Sequence, residues 1–245
     1  MFNFFSKKRQ PIPFWFKTDI HCHVVPGVDD GSPDLETSLQ LIDELQMMGI
    51  SDIITTPHVT DITFMNNAAT LEQPFGLLGD AVAQKFPNVR IRMAAENRID
   101  DLLQKNLETR QLITYPNDFL LIENSFVQEP WELESLIFDL SVRGYKPIFA
   151  HPERFDYYQN KPERYKALHN VIPFQVNVLS LAGYYGPDIR KTAEWLIEKN
   201  MVDYLGTDCH GMRHIECYRE YLAGKSALKH RDALAGVIRN DRDFS

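Results

Sequence analysis

The sequence predicts an α/β protein whose strands run parallel and wind into a closed or nearly closed β/α barrel. Three observations predict it. Short apolar runs with strand character alternate with helical patterns along the whole chain, the order that builds parallel sheets. Unbroken apolar runs such as 119–122 and 147–150 do not alternate in polarity, as strands covered on both faces do not. Nearly every run finishes on His, Asp or Glu, at the end where parallel α/β folds gather their chemistry. About seven such units fit into the 245 residues, which suits a barrel, with a doubly wound open sheet as the second compatible architecture.

The first unit opens at Thr18, in the stretch TDIHCHVVPGVDDG. His21 and His23 stand two apart in a mostly apolar run, and a strand turns alternate side chains to one face, so both imidazoles can reach one ion. On a helix, positions i and i+2 do not face each other. Residues 24–31 read as a turn, with Pro26, Gly27 and Gly31 around two carboxylates, Asp29 and Asp30, that can supply oxygen ligands. Ser32, Pro33, Asp34 and Glu36 open a helix as cap, first-turn proline and first-turn acids. Leu35, Leu39, Ile42, Leu45 and Met48 supply its buried stripe, and Gly49 ends it.

The remaining units follow the same plan. A β-rich run over residues 52–56 finishes at Pro57 and His58, and a polar loop near Asn66 and Asn67 leads into a helix reaching about Phe86. Residues 89–95 read as a strand finishing at Glu96, 100–109 as a helix, and 119–122 as a fully apolar strand finishing at Glu123. A helix over 130–143 is stopped by Gly144, and the short apolar run 147–150 finishes at His151. Residues 161–170 read as a helix, 174–178 as a strand, and 187–199 as a helix opened by Pro187. Residues 202–206 form the last strand, finishing at Asp208 and His210, before a mainly helical tail over 215–238.

No glycine-rich, serine-rich or strongly charged linker divides the chain, so one domain over residues 17–245 is expected, preceded by an apolar N-terminal arm, residues 1–16. Lys and Arg total 26 against 34 Asp and Glu, a formal charge of −8, which argues against a general nucleic-acid surface. The three cysteines, Cys22, Cys209 and Cys217, do not suggest a disulfide framework and fit a reducing compartment. The N-terminus has its aromatic residues before its basic triplet, the wrong order for a signal peptide, and no segment approaches the length of a membrane span. A cytoplasmic protein is expected. In the arm, Phe14, Trp15 and Phe16 are expected to pack on the barrel, and Phe2, Phe4 and Phe5 are the residues available to meet a partner or a membrane edge.

The strand-end residues form one constellation: His21, His23, Asp30, His58, Glu96, Glu123, His151, Asp208 and His210. Singly, each has an ordinary reading as a cap acid or a hydrogen-bonded loop histidine. Together they exceed what one ion needs, and mixed imidazole and carboxylate ligation suits zinc, manganese or iron without thiolate. With two or more metals, a carboxylate such as Glu96 can bridge ions roughly 3.5–4 Å apart, the arrangement that clamps attacking and leaving oxygens in phosphate-ester hydrolysis. A carboxylate directly after Leu120, Leu121 and Ile122 faces a heavy desolvation cost without a cation. His169, His214 and His230 lack the strand-end placement and are expected on the surface.

The runs DIHCHVVPGVDDG, TTPHV, AAEN, LLIENSF, FAHPERF, QVN and GTDCHG occur in order over most of the chain. In these motifs the chain resembles the polymerase and histidinol phosphatase superfamily and, more closely, is similar to the bacterial manganese-dependent protein-tyrosine phosphatases that accompany capsular and exopolysaccharide synthesis. That resemblance implies a distorted (β/α)7 barrel and a centre of three metal ions. It implies that His21, His23, Glu96 and Asp208 hold a first ion, that Glu96 bridges to a second also held by Glu123 and His151, and that Asp30, His58 and His210 hold a third. Manganese is the implied metal, with iron, zinc, magnesium or cobalt as alternatives. Arg154, in the HPER run, would bind the phosphoryl oxygens, and Arg213 is a candidate second phosphate contact.

The chain departs from the pattern after Glu96, where relatives often carry an aromatic residue and this sequence has Asn97 and Arg98, which bears on the rim of the pocket. The expected reaction is in-line attack of a metal-bridging hydroxide on phosphotyrosine, with His210 or a water as proton donor to the leaving group and no covalent intermediate. A cysteine nucleophile is not expected, since none of the cysteines is followed by a five-residue spacer and an arginine; Cys22 and Cys209 read as small packing residues. A phosphatase for histidinol phosphate or another small phosphomonoester would share these metals. An amidohydrolase also begins with HxH, but its bridging lysine has no equivalent here. A phosphotyrosine-binding regulatory module without turnover is the reading from another class. The expected protein partner is the tyrosine-rich cytoplasmic tail of a membrane-anchored tyrosine kinase.

Overall fold

In the computed structural model, which describes residues 10–245, nine short strands and ten helices alternate along the chain. The strands are β1 (Thr18–Asp19), β2 (Asp52–Thr55), β3 (His58–Val59), β4 (Arg90–Met93), β5 (Glu96–Arg98), β6 (Phe119–Glu123), β7 (Lys146–Ala150), β8 (Phe174–Asn177) and β9 (Tyr204–Gly206). The helices are α1 (Leu35–Met47), α2 (Ala68–Lys85), α3 (Asp101–Thr109), α4 (Leu133–Val142), α5 (Pro162–His169), α6 (Val178–Ala182), α7 (Pro187–Glu198), α8 (Met212–Leu222), α9 (Lys225–Leu234) and α10 (Asn240–Phe244). Among the described residues no helix is long and apolar enough to cross a membrane.

Every strand pairing is parallel. One sheet has the order β1-β2-β4 and the other β3-β5-β6-β7-β8-β9. Two breaks explain why there are two sheets. Pro57 brings no N–H to the ladder, so β2 stops before it and the chain resumes pairing as β3; its carbonyl still accepts from Glu96 N at 3.2 Å, and Thr55 O accepts from Ala94 N at 2.9 Å. β3 and β5 are therefore the continuations of β2 and β4. At the other junction, β1 and β9 meet only through a parallel bridge between Cys22 and Cys209. Below it side chains replace the ladder: Asp19 accepts from Thr207 N at 3.0 Å and Thr207 Oγ1 at 2.6 Å, and the Asn240 amide spans the Thr18 and Leu205 carbonyls. Seven strand positions thus succeed one another around a common centre, a distorted β/α barrel.

The apolar side chains divide into an inner and an outer set. Ile20, Ile54, Ala94, Leu121, Ile148, Ala150 and Tyr204 fill the interior, closed below by Tyr115 and Phe244. The larger cluster lies between the strands and the helices, with Leu41, Ile42, Leu45, Leu120, Ile122, Phe149, Phe174 and Val176 among its members. Burying a Leu, Ile or Phe side chain contributes about 1.5–3 kcal/mol, and the apolar runs read from the sequence supply these layers. Phe14 and Phe16 are buried in the outer cluster, Trp15 packs partly against it, and Phe14 meets Tyr218 edge-on at 5.8 Å. Phe2, Phe4 and Phe5 lie outside the described residues.

Local signals differ from expectation in three places. The cap of α1 is Asp34, which accepts from Thr37 N at 2.8 Å, while Ser32 is buried and donates to the Asp34 carbonyl, so the helix starts later than the Ser-Pro pair suggests. The helix expected from residue 130 starts at Leu133. The strand expected to carry both His21 and His23 is regular only over Thr18–Asp19, and the two histidines follow it in extended backbone tied to the last strand's extension through Asp208 N to His21 O (2.7 Å) and His23 N to Cys209 O (3.0 Å).

Candidate metal centre

Each strand ends at the same mouth of the barrel, and the alternation of side chains decides what points inward. On β6, Leu121 and Glu123 share the inner face; on β5, Glu96 and Arg98 do, and Asn97 turns away, donating to the Ala95 and Leu121 carbonyls. Asn97 is therefore buried in the wall and takes no part in the rim; Arg98 is at the rim. His151 and Asp208, just past β7 and β9, both have left-handed backbone, with φ of 32° and 54°. Non-glycine residues hold such conformations at a cost of about 1–3 kcal/mol, a form of strain that clusters at functional sites.

All nine residues of the sequence constellation converge. Glu96 is its hub: Oε1 lies 2.9 Å from His151 Nε2, and Oε2 lies 3.2 Å from His21 Nε2, 3.4 Å from His23 Nε2 and 3.1 Å from His58 Nδ1. Asp208 Oδ1 stands 3.4 Å from the Nε2 atoms of both His21 and His23, and Glu123 Oε1 lies 3.5 Å from His151 Nε2. Asp30, largely exposed at the mouth, reaches His58 and His210, each at 3.5 Å. Four sets bring their donor atoms within 4.8 Å of one another: His23, Asp30, His58 and His210; His21, His23 and Asp208; His21, Glu96 and His151; His58, Glu96 and Glu123.

The donor atoms fit metal ions. His21 Nε2, His23 Nε2, His58 Nδ1 and Glu96 Oε2 are buried without a hydrogen-bond partner, although buried polar atoms are normally satisfied. Two ligand atoms each about 2.1 Å from one ion, at octahedral to tetrahedral angles, lie roughly 3.0–3.4 Å apart, which matches the separations around Glu96. Acceptors behind the imidazoles turn the right nitrogens inward: His21 Nδ1 faces Gln175 Oε1 at 2.7 Å, His23 Nδ1 faces Asp29 Oδ2 at 2.8 Å, and His210 Nδ1 faces the Asp208 carbonyl at 2.9 Å. Asp29 also accepts from His58 N and Gly31 N. It is a support for His23, and Asp30 is the member of the pair that faces the cluster.

The charges agree with this fit. Burial opposes the charged form of His21, but the facing Glu96 and Asp208 carboxylates outweigh it and lift its pKa to about 9. Burial and the neighbouring Glu96 carboxylate push Glu123 up to about 8 against the pull of Arg98 and Arg154, so two buried carboxylates this close need added positive charge to ionise together. His151 is lowered to about 4 by burial and by Arg154, leaving a neutral imidazole suited to ligation. Burial pushes the Cys209 thiol up to about 12 and Cys22 well above its usual range, so neither is a thiolate.

Arg154 Nη1 donates to Asp208 Oδ2 at 2.9 Å, and its guanidinium lies between two rings, 4.9 Å from the Phe126 centroid and 4.2 Å from that of Tyr185. Phe126, Tyr185, Arg98 and His214 complete the lining of the cavity; Arg98 pairs with Glu123 Oε2 at 3.0 Å. Arg213 is exposed with its guanidinium over Tyr184 and does not line the cavity. The helical turn that carries it points the following residue, His214, inward instead, where its Nδ1 lies 3.1 Å from His210 N. The surface reading fails for His214 and also for His230, which is buried 2.8 Å from the Tyr221 hydroxyl. Phe126, Tyr185 and Gln175 carry no strand-end signal; only the loop after β6, the connection between α6 and α7 and the inward face of β8 identify them.

A family profile described as capsular polysaccharide synthesis, CpsB/CapC, matches residues 17–223. The tyrosine-protein phosphatase YwqE of Bacillus subtilis is 30% identical over 198 residues, covering 80% of this chain and 78% of the relative. The tyrosine-protein phosphatase CpsB of Streptococcus agalactiae is 30% identical over 203 residues, 79% of this chain and 83% of the relative. Among solved structures, a crystal structure from work on YwqE of Bacillus subtilis and CpsB of Streptococcus pneumoniae, described as unique metal-dependent tyrosine phosphatases, superposes with a TM-score of 0.77 at 26% identity, covering 93% of this chain and 95% of the other. With the profile spanning most of the sequence and the barrel shared, the chain belongs to the CpsB/CapC family of capsular polysaccharide synthesis.

Proposed function

We propose that this chain is a metal-dependent protein-tyrosine phosphatase that hydrolyses phosphotyrosine with manganese ions held by His21, His23, Asp30, His58, Glu96, Glu123, His151, Asp208 and His210. The observation that carries the proposal is the set of buried, unpartnered imidazole and carboxylate atoms around Glu96, beside an arginine clamped between two rings. Bound ions would polarise the phosphoryl oxygens and make a water nucleophilic near neutral pH. Arg154, preset by Asp208, Phe126 and Tyr185, presents a planar fork that suits two phosphoryl oxygens. The Phe126 ring, 6.0 Å from His151 and partly exposed, offers a face on which a tyrosyl ring can lie. His210 holds its Nδ1 on a backbone carbonyl and turns Nε2 toward Asp30 at the mouth, where it would serve as a ligand, so a leaving phenolate would take its proton from a water.

The substrate proposed is the tyrosine-rich cytoplasmic tail of a membrane-anchored kinase of capsule or exopolysaccharide synthesis, with the phosphatase acting in the cytoplasm. Purified protein is expected to release phosphate from p-nitrophenyl phosphate and from a phosphotyrosine peptide, faster than from histidinol phosphate. Chelation should abolish the activity, manganese should restore it, and His151→Ala should remove it. Full activity in chelator, with metal absence confirmed by mass spectrometry, would overturn the proposal; tight peptide binding with no released phosphate would make the chain a binding module instead.

A further inference from the structure

We propose that the amides of Gln175 and Asn177 form a relay through which Asp208 fixes which nitrogen of His21 is left to bind a cation. Both are then positioning residues for the metal centre, and the inference rests on the metal reading above. β8 supplies no imidazole or carboxylate to the cluster. Its two inward positions are nonetheless Gln175 and Asn177, both fully buried, where an unpaired amide is costly.

The orientation of each amide is forced by its neighbour. Asp208 Oδ2 only accepts, so the Asn177 atom 2.6 Å from it is Nδ2, and Oδ1 must point the other way. That Oδ1 accepts from Gln175 Nε2 at 2.9 Å, which turns Gln175 Oε1 toward His21. Oε1 lies 2.7 Å from His21 Nδ1, and a carbonyl oxygen can only accept, so Nδ1 keeps its proton. Nε2 is then the nitrogen that faces Glu96 and Asp208, at 3.2 and 3.4 Å. The relay starts on one carboxylate of the cluster and ends on an imidazole that faces the same carboxylate.

Two features of the barrel hold the relay in place. A Cβ at Gly206 would lie 2.6 Å from His21 Cβ and 2.7 Å from Gln175 Nε2, so only glycine on β9 lets these two side chains meet. The buried Glu153 accepts from Asn177 N at 2.9 Å and Ser180 Oγ at 2.6 Å, pinning the end of β8.

Histidine-selective 15N labelling of the protein loaded with zinc, a diamagnetic probe, reads the relay directly. The wild-type chain is expected to show His21 with Nδ1 protonated, and Gln175→Leu should lose that resonance. In competition with a chelating dye, Gln175→Leu and Asn177→Leu are each expected to weaken manganese binding roughly 10–100-fold. The double variant should be no weaker than the worse single variant, because either change breaks the same chain. Losses that multiply in the double variant, or affinities within twofold of wild type, would overturn the relay. Should the variants fail to fold, His21 bound through Nδ1 in the wild-type spectrum would overturn it alone. A wild-type chain that takes up no metal would sink the metal reading and the relay together, whereas normal uptake with unaltered variants sinks only the relay.

Discussion

Glu96→Gln keeps the shape of the central side chain and removes one charge, and the structure sets what that charge is worth. Glu96 approaches four imidazoles at 2.9–3.4 Å and belongs to two of the four donor sets, with His21 and His151 and with His58 and Glu123. A neutral amide is a much poorer ligand than a carboxylate for two cations at once, so both donor sets that contain Glu96 lose their shared charge. Each dependent ion should lose at least ~100-fold in affinity, about 2.8 kcal/mol at 1.4 kcal/mol per tenfold. Phosphotyrosine turnover should fall by ~1,000-fold or more, because metals supply several kcal/mol of transition-state stabilisation. Asp30→Asn is the comparison, since Asp30 belongs only to the set at the mouth and should cost only the ion held there. The assay is metal content by inductively coupled plasma mass spectrometry after gel filtration of manganese-loaded protein, with peptide turnover in parallel. Glu96→Gln protein that retains the wild-type metal content would refute the reasoning.

Other expectations follow from single contacts. Arg154→Lys keeps the charge but loses the fork and the stacking on Phe126 and Tyr185; kcat/KM on a phosphotyrosine peptide should fall ~100-fold, about 2.7 kcal/mol, with metal content unchanged, and a fall of less than threefold would refute the assigned role. Asp203 accepts from His169 Nε2 at 2.9 Å and from Phe174 N at 3.0 Å. Burial opposes its ionisation, but those partners outweigh burial and hold its pKa below the usual carboxylate range. The unfolded chain therefore binds the proton more readily, and the contribution is present above pH ~4 and lost as pH falls through the lowered folded value. Asp203→Asn should cost ~1–3 kcal/mol at neutral pH, and the Tm gap from wild type should narrow on acidification below pH ~4; a gap that widens there would reverse the sign of the argument.

How far the sequence carried the account depended on whether a signal was local. Runs such as residues 119–122 declare a buried parallel strand because each residue is apolar, and the carboxylate or imidazole that follows is read from its position alone. The two histidines of the first unit were also legible, although regular pairing stops at Asp19, because extended backbone alternates its side chains with or without a ladder. What stayed hidden depends on neighbours remote in sequence. Asp30 stands in the sequence constellation, but the role of its neighbour Asp29 behind His23 appears only once the turn has folded. Arg213 and His214 are adjacent on α8, and only the docking of that helix decides that the histidine faces inward. Gln175 and Asn177 carry no charge and end no apolar run, so their link to His21 and Asp208 appears only when β8 and β9 lie side by side.

On the reading proposed for the site, these strand-end side chains share ions. Crystals grown with manganese and measured at its absorption edge test it most directly. Anomalous peaks are expected within about 2.0–2.4 Å of His21 Nε2, His23 Nε2 and Glu96 Oε2, with Arg154 still facing the same cavity. An edge-dependent map with no peak among these atoms, from protein that still hydrolyses phosphotyrosine, would contradict it.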